Sequence, residues 1–164
     1  PIKTIFNPHL DGAVSIDMSP DAMFLVTLSS PDRDGLQEVA LWEWTVDHEG
    51  PLYSSTCPQL QPPEALNGPE AKFQETEAEP QPLEFVKFNQ HNVVEFVTTG
   101  PDQITFWSWE TRTLEHQTPP RISKADFGAR VGDFTHTAYL PGTTRAVSGT
   151  TAGNLVMWDT ASAG

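Results

Sequence analysis

The sequence predicts an all-β fold assembled from a repeated unit. Three observations predict it. Short apolar-x-apolar runs alternate with period two along the 164 residues, as strands with one buried face do. Turn signals such as Ser19-Pro20-Asp21-Ala22 and Pro141-Gly142 divide the runs. Three segments also end alike: EVALWEW (38–44), QITFWSWE (103–110) and NLVMWDT (154–160). Superposed, they bring Trp42, Trp107 and Trp158 into register, each three residues after Val39, Ile104 or Leu155.

The elements follow in order. PIKTIF (1–6) reads as the last strand of an earlier unit. In the first unit AVSIDMS (13–19) turns into MFLVTLSS (23–30), EVALWEW follows, and a weaker strand is expected around GPLYSST (50–56). The second unit has LEFVKFN (83–89), VVEFVTTG (93–100), the Trp107 segment and a weak strand near TLEHQTP (113–119). The third has FTHTAYL (134–140), RAVSGT (145–150) and the Trp158 segment. Lettered a to d within a unit, the strands read d, abcd, abcd, abc.

Four antiparallel strands recurring with a Trp-Asp ending resemble the WD-repeat β-propeller. The resemblance implies part of a propeller: strand d of one blade, two full blades, and strands a–c of another. It maps His9 onto the family's Gly-His histidine, with Pro8 in place of the glycine. It maps Thr27 and Ser148 onto the strand b hydroxyl, Trp42, Trp107 and Trp158 onto the strand c tryptophan, and Asp159 onto the final aspartate. That last position reads Glu43 in unit one and Ser108 in unit two, and the b–c turn lacks its usual aspartate. In the family an aspartate, the histidine, the hydroxyl and the tryptophan form one hydrogen-bonded network. No unit here is expected to complete it, so His9 should turn to a backbone or water partner.

Spacing adds two loops. Trp42 and Trp107 lie 65 residues apart and Trp107 and Trp158 lie 51 apart, against about 40–45 for a plain repeat. The first excess, 57–82, holds six prolines and five glutamates against one lysine. That composition buries little apolar surface and reads as an extended or disordered insertion. The second, 119–132, leans basic through Arg121, Lys124 and Arg130. The expected organisation is a preceding strand d (1–8), a blade (9–56), the acidic insertion (57–82), a blade (83–119), a loop (120–130) and a partial blade (131–164).

Catalysis has no candidate. The five histidines lack metal-ligand spacing and Cys57 is the only cysteine. Its solitude excludes an internal disulfide and suits a reducing compartment. SPDRDGLQEVAL (30–41) suggests a calcium loop through Asp32 and Asp34, but Ser30 and Leu41 occupy the first and twelfth positions, where ligands belong. It reads better as a polar hairpin loop. Asp32, Arg33 and Asp34 here, with Arg121, Lys124 and Arg130, are the candidate partner-contact residues. No cofactor or metal is expected.

Nine basic against 22 acidic residues give a formal charge of −13. Such a surface disfavours nucleic acid and anionic membrane, and suits a basic protein partner. No apolar run approaches the 18 residues of a spanning helix. The chain opens on Pro1 and closes on Ala-Ser-Ala-Gly, so a piece of a longer protein is expected.

The endings LWEWT and FWSWETRTLEHQTPP, with FTHTAYLPGTTRAVSGTTAGNLVMWDT, narrow the resemblance to the WD-repeat proteins of motile cilia. What this implies is a non-catalytic scaffold in the axoneme of a cilium or flagellum, helping anchor radial spokes to doublet microtubules. The implied partners are other proteins of the spoke base and of the calmodulin- and spoke-associated complex, with the microtubule contacted indirectly. The competing expectation is a WD-repeat adaptor or substrate receptor in a soluble cytosolic complex.

Overall fold

The structure is a computed structural model that describes residues 4–5, 8–47, 49–59, 81–120, 122 and 131–160. Eleven strands fall within them. The first sheet holds β1 (Ala13–Met18), β2 (Phe24–Ser29), β3 (Glu38–Glu43) and β4 (Tyr53–Thr56). The second holds β5 (Phe85–Phe88), β6 (Glu95–Thr99), β7 (Ile104–Ser108) and β8 (Glu115–Gln117). The third holds β9 (Phe134–Tyr139), β10 (Arg145–Thr150) and β11 (Leu155–Asp159). Each sheet is an antiparallel meander in chain order, the arrangement of a propeller blade. Of residues 1–8, only 4, 5 and 8 are described and none lies in a strand; the rest of the expected preceding strand d falls outside the described residues.

The register gives each blade two distinct faces. Leu25 pairs with Trp42, Phe96 with Trp107 and Ala146 with Trp158, so the three tryptophans occupy equivalent places. One face, carrying the tryptophan, packs back on the preceding blade. Val86, Phe88, Phe96 and Trp107 of the second blade meet Val26, Leu28, Val39 and Leu41 of the first. The other face packs forward: Val97, Ile104 and Phe106 of the second blade meet Phe134, Ala146 and Val156 of the third. The middle blade is therefore covered on both sides, and β6 and β7 are buried nearly end to end. At about 25 cal/mol per Å2 of apolar surface removed from water, these two seams are the main source of cohesion.

Polar groups fix the seams. Asp17 in β1 accepts the Phe88 amide at 2.8 Å and lies 3.6 Å from Lys87 Nζ, while Ser15 accepts the Val86 amide. Gln37, buried, donates to the carbonyls of Ser29 and Leu83 and accepts the Leu83 amide at 2.6 Å. It closes the first blade onto the chain entering the second. Gly100 faces that same chain: a Cβ there would sit 2.8 Å from the Pro82 carbonyl oxygen, so only glycine allows the approach.

The two outer faces are open. Val14, Ile16 and Met18 on the back of the first blade are 47%, 61% and 43% exposed. Leu155 and Met157 on the front of the third are 78% and 61% exposed. These positions match Ile104 and Phe106, which are buried in the middle blade because a neighbour covers them.

Candidate functional site

The loop ahead of β1 and the β2–β3 loop meet at one end of the first blade, and His9 anchors that meeting. The Gly12 amide bonds the His9 carbonyl, turning the chain back so that the imidazole enters the blade, where its side chain is 1% exposed. His9 Nε2 lies 2.8 Å from Thr27 Oγ1, to which Trp42 Nε1 donates at 2.9 Å. Histidine, hydroxyl and tryptophan thus form a continuous buried row. Here the expectation of a backbone or water partner for His9 is corrected. Its partner is the Thr27 side chain, because β2 holds that hydroxyl directly beneath the ring. Glu38, the first residue of β3, brings Oε2 to 3.4 Å from the other ring nitrogen, Nδ1. A carboxylate is therefore present, supplied by a strand end rather than by the b–c turn.

The other blades vary the theme. Trp107 Nε1 donates to Thr98 Oγ1 at 3.0 Å. Trp158 Nε1 donates to Ser148 Oγ, which bonds Thr137 Oγ1 at 2.7 Å, and Thr99 donates to Thr137 from the neighbouring blade. Hydroxyls at Thr137 and Thr99 do for the third blade what His9 does for the first. Sequence reading missed Thr98, although counting the pairing back from Trp107 finds it. Trp42 and Trp107 are buried, whereas Trp158, packed on Phe106 of the second blade, is half-buried on β11, which among the described residues has no fourth strand beside it. Asp159 stands at the surface and accepts a hydrogen bond from Thr144.

Asp32, Arg33 and Asp34 form the tip of the β2–β3 loop. Asp32 Oδ1 accepts the amides of Asp34 and Leu36 at 2.9 and 2.8 Å, and Gly35 takes a φ of 77° to close the turn. The carboxylate of Asp32 thereby holds the loop's shape. These three residues line a crevice of about 490 Å3 at the seam between the first two blades. Both stems of the acidic insertion, through Pro58 and Leu83, enter it, the first held by a Gln103 hydrogen bond to the Pro58 carbonyl. Cys57 lies at its base, where burial first and the Glu38 charge second push its thiol up to about 12. That thiol stays protonated and is no nucleophile at neutral pH. Arg121, Lys124 and Arg130 lie outside the described residues, as does the insertion from 60 to 80.

No cluster of three potential metal ligands occurs among the described residues, and no described helix is long and apolar enough to cross a membrane. What the geometry offers is a rigid β scaffold with a crevice-bearing loop face.

Comparison with known proteins points the same way. No family model matches the chain. Cilia- and flagella-associated protein 251 of Chlamydomonas reinhardtii is 34% identical over 97% of the chain, and that of Tetrahymena thermophila is 33% identical over the same share. The mouse protein of that name is 27% identical, again over 97%. The chain spans only 19%, 14% and 11% of these three relatives. Among solved structures, the β-propeller domain of Myceliophteria thermophila Cps50 (Swd1) superposes with a TM-score of 0.59 at 14% identity, covering 90% of this chain and 38% of that one. The RRP9 WD40 repeats give 0.56 at 13% identity, covering 93% and 37%. The name these relatives share supports a ciliary or flagellar location. This chain has the fold of WD40 β-propeller blades and is homologous along nearly its whole length to cilia- and flagella-associated protein 251.

Proposed function

We propose that the chain is a propeller segment of an axonemal scaffold that helps hold radial spokes and neighbouring regulatory complexes to doublet microtubules. The observation that carries this reading is the match along 97% of the chain to proteins named for cilia and flagella. The physical form agrees with it. Blades locked by buried seams present loops at fixed positions, and a protein that organises others needs that rigidity. Its direct partners are proteins of the spoke base and of the calmodulin- and spoke-associated complex, reached through the loop face that carries Asp32, Arg33 and Asp34. Tubulin's outer surface is itself acidic, so a segment this acidic contacts the lattice only indirectly.

Detergent extraction of ciliated cells tests the reading. The full-length protein should remain with the axonemes and leave only with salt or with loss of spoke-base proteins. Release into the soluble fraction with detergent alone would replace the scaffold by a soluble adaptor.

A further inference from the structure

The two open faces of the run repeat, residue place for residue place, the two sides of a seam the chain already makes inside itself. Where the first blade meets the second, Val26 pairs with Leu41 and Leu28 with Val39 across β2 and β3, and all four are fully buried. Counted from the tryptophans, the third blade repeats these places with Val147 beside Met157 and Gly149 beside Leu155. There Leu155 and Met157 stand exposed.

The other side of that seam recurs as well. The second blade presents Val86, Phe88, Phe96 and Trp107 to the first. Strand pairing puts Ile16, Met18, Leu25 and Trp42 in the same four places on the back of the first blade. Ile16 and Met18 are exposed where Val86 and Phe88 are buried. Gly149 stands where Leu28 fills the inner seam and leaves room there, while Met18 and Met157 are unbranched and pliant enough to fill it.

A contact between unlike faces either closes into a ring or runs on as a filament. Blade number decides between them. Propellers close with about four to eight blades. One copy brings three sheets, too few to close, and three copies would bring nine. We infer that the partner fitting both faces is a second copy of this chain, the two closing head to tail into one six-bladed ring. The front of each third blade, at Leu155 and Met157, covers Ile16 and Met18 of the other copy. Charge opposes the union, since each copy carries −13, so association should tighten as salt screens the repulsion. The inference goes beyond the ciliary reading and does not rest on it.

Sedimentation equilibrium of the 164-residue chain at physiological salt tests it. The mass should be twice the 18.1 kDa of one copy, with no larger species as concentration rises. Met157→Glu and Ile16→Glu should each weaken pairing at least about a hundredfold, because each leaves an unpaired charge in a seam. Mixing the two variants should restore pairing, since the sound back of one meets the sound front of the other. That recovery also shows that both variants fold. Thr113→Glu, on the exposed β7–β8 turn of the middle blade, should change pairing by less than about twofold. A monomer at all concentrations would leave these faces to blades of the same polypeptide and overturn the proposal. So would a mass that climbs without limit, an unaltered Ile16→Glu or Met157→Glu protein, or a mixture that fails to pair. Because the assay contains no axoneme, its failure leaves the extraction result standing, and the reverse.

Discussion

Thr27 shows how much one hydroxyl can organise. It joins the loop ahead of β1, strand β2 and the tryptophan of β3, all within the buried part of the first blade. Replacing it by valine keeps the volume and removes the hydrogen bonds, leaving the His9 and Trp42 nitrogens unsatisfied. Thr27→Val should cost about 2–4 kcal/mol, read from denaturant unfolding of the intact protein, with loss of the Trp42 environment in its fluorescence. Asp21 works at the surface in a different way. Its carboxyl is held below the usual range first by the Ser19 hydroxyl, then by the Met23 amide, which together shape the β1–β2 turn. A depressed carboxyl stabilises the fold above the unfolded pKa, and that contribution fades as pH falls through the folded value. Wild type should therefore exceed Asp21→Asn in stability at neutral pH, and the two should converge in strong acid. A difference that grows on acidification would contradict the turn assignment.

The strands themselves were legible. Alternation and the recurring tryptophan placed all eleven strands of the described residues within a few residues of where they lie, because a blade writes its period-two pattern locally. The connections between blades were not. Gln37 reaches Leu83 across 46 positions and Thr99 reaches Thr137 across 38, and neither contact leaves a local mark in the sequence. Glu38 was overlooked for a related reason. The family pattern places the carboxylate in the b–c turn, whereas this chain supplies it from Glu38 at the start of β3, where a lone charge carries no local signal. The equivalent tryptophans also differ in burial for reasons outside their own strands. Trp107 is enclosed by the first blade and stacks on Phe96, with ring centroids 5.8 Å apart. Trp107→Ala should cost about 3–5 kcal/mol in the unfolding of the intact protein. If the fluorescence of Trp107 were quenched like that of a free indole, the register of β7 against β6 would be wrong.

The described blades stack head to tail, the second and third each burying a tryptophan face on the one before. Such a contact is heterologous and leaves one unmet face at each end. The acidic insertion lies outside this logic. Its stems are held beside Gln37 and Gln103, and its composition has little apolar surface to contribute to either seam. Deleting residues 60–80 and rejoining the stems with a short glycine linker should leave the stability of the intact protein unchanged within about 0.5 kcal/mol. At most, one salt-sensitive association should weaken. A deletion that unfolds the neighbouring blades would show that the segment is part of the core.

Val14, Ile16 and Met18 at one end and Leu155 and Met157 at the other are apolar surface shaped to be covered. Exposed in this way, the blades form an open run that should be completed by others packed against both faces. Thermal unfolding of the isolated 164 residues, followed by circular dichroism alongside light scattering, tests it most directly. No cooperative transition from a monomer is expected: the isolated chain should melt broadly or self-associate, and adding flanking blades should restore one sharp transition. A sharp, reversible melt of the isolated chain as a monomer would contradict it.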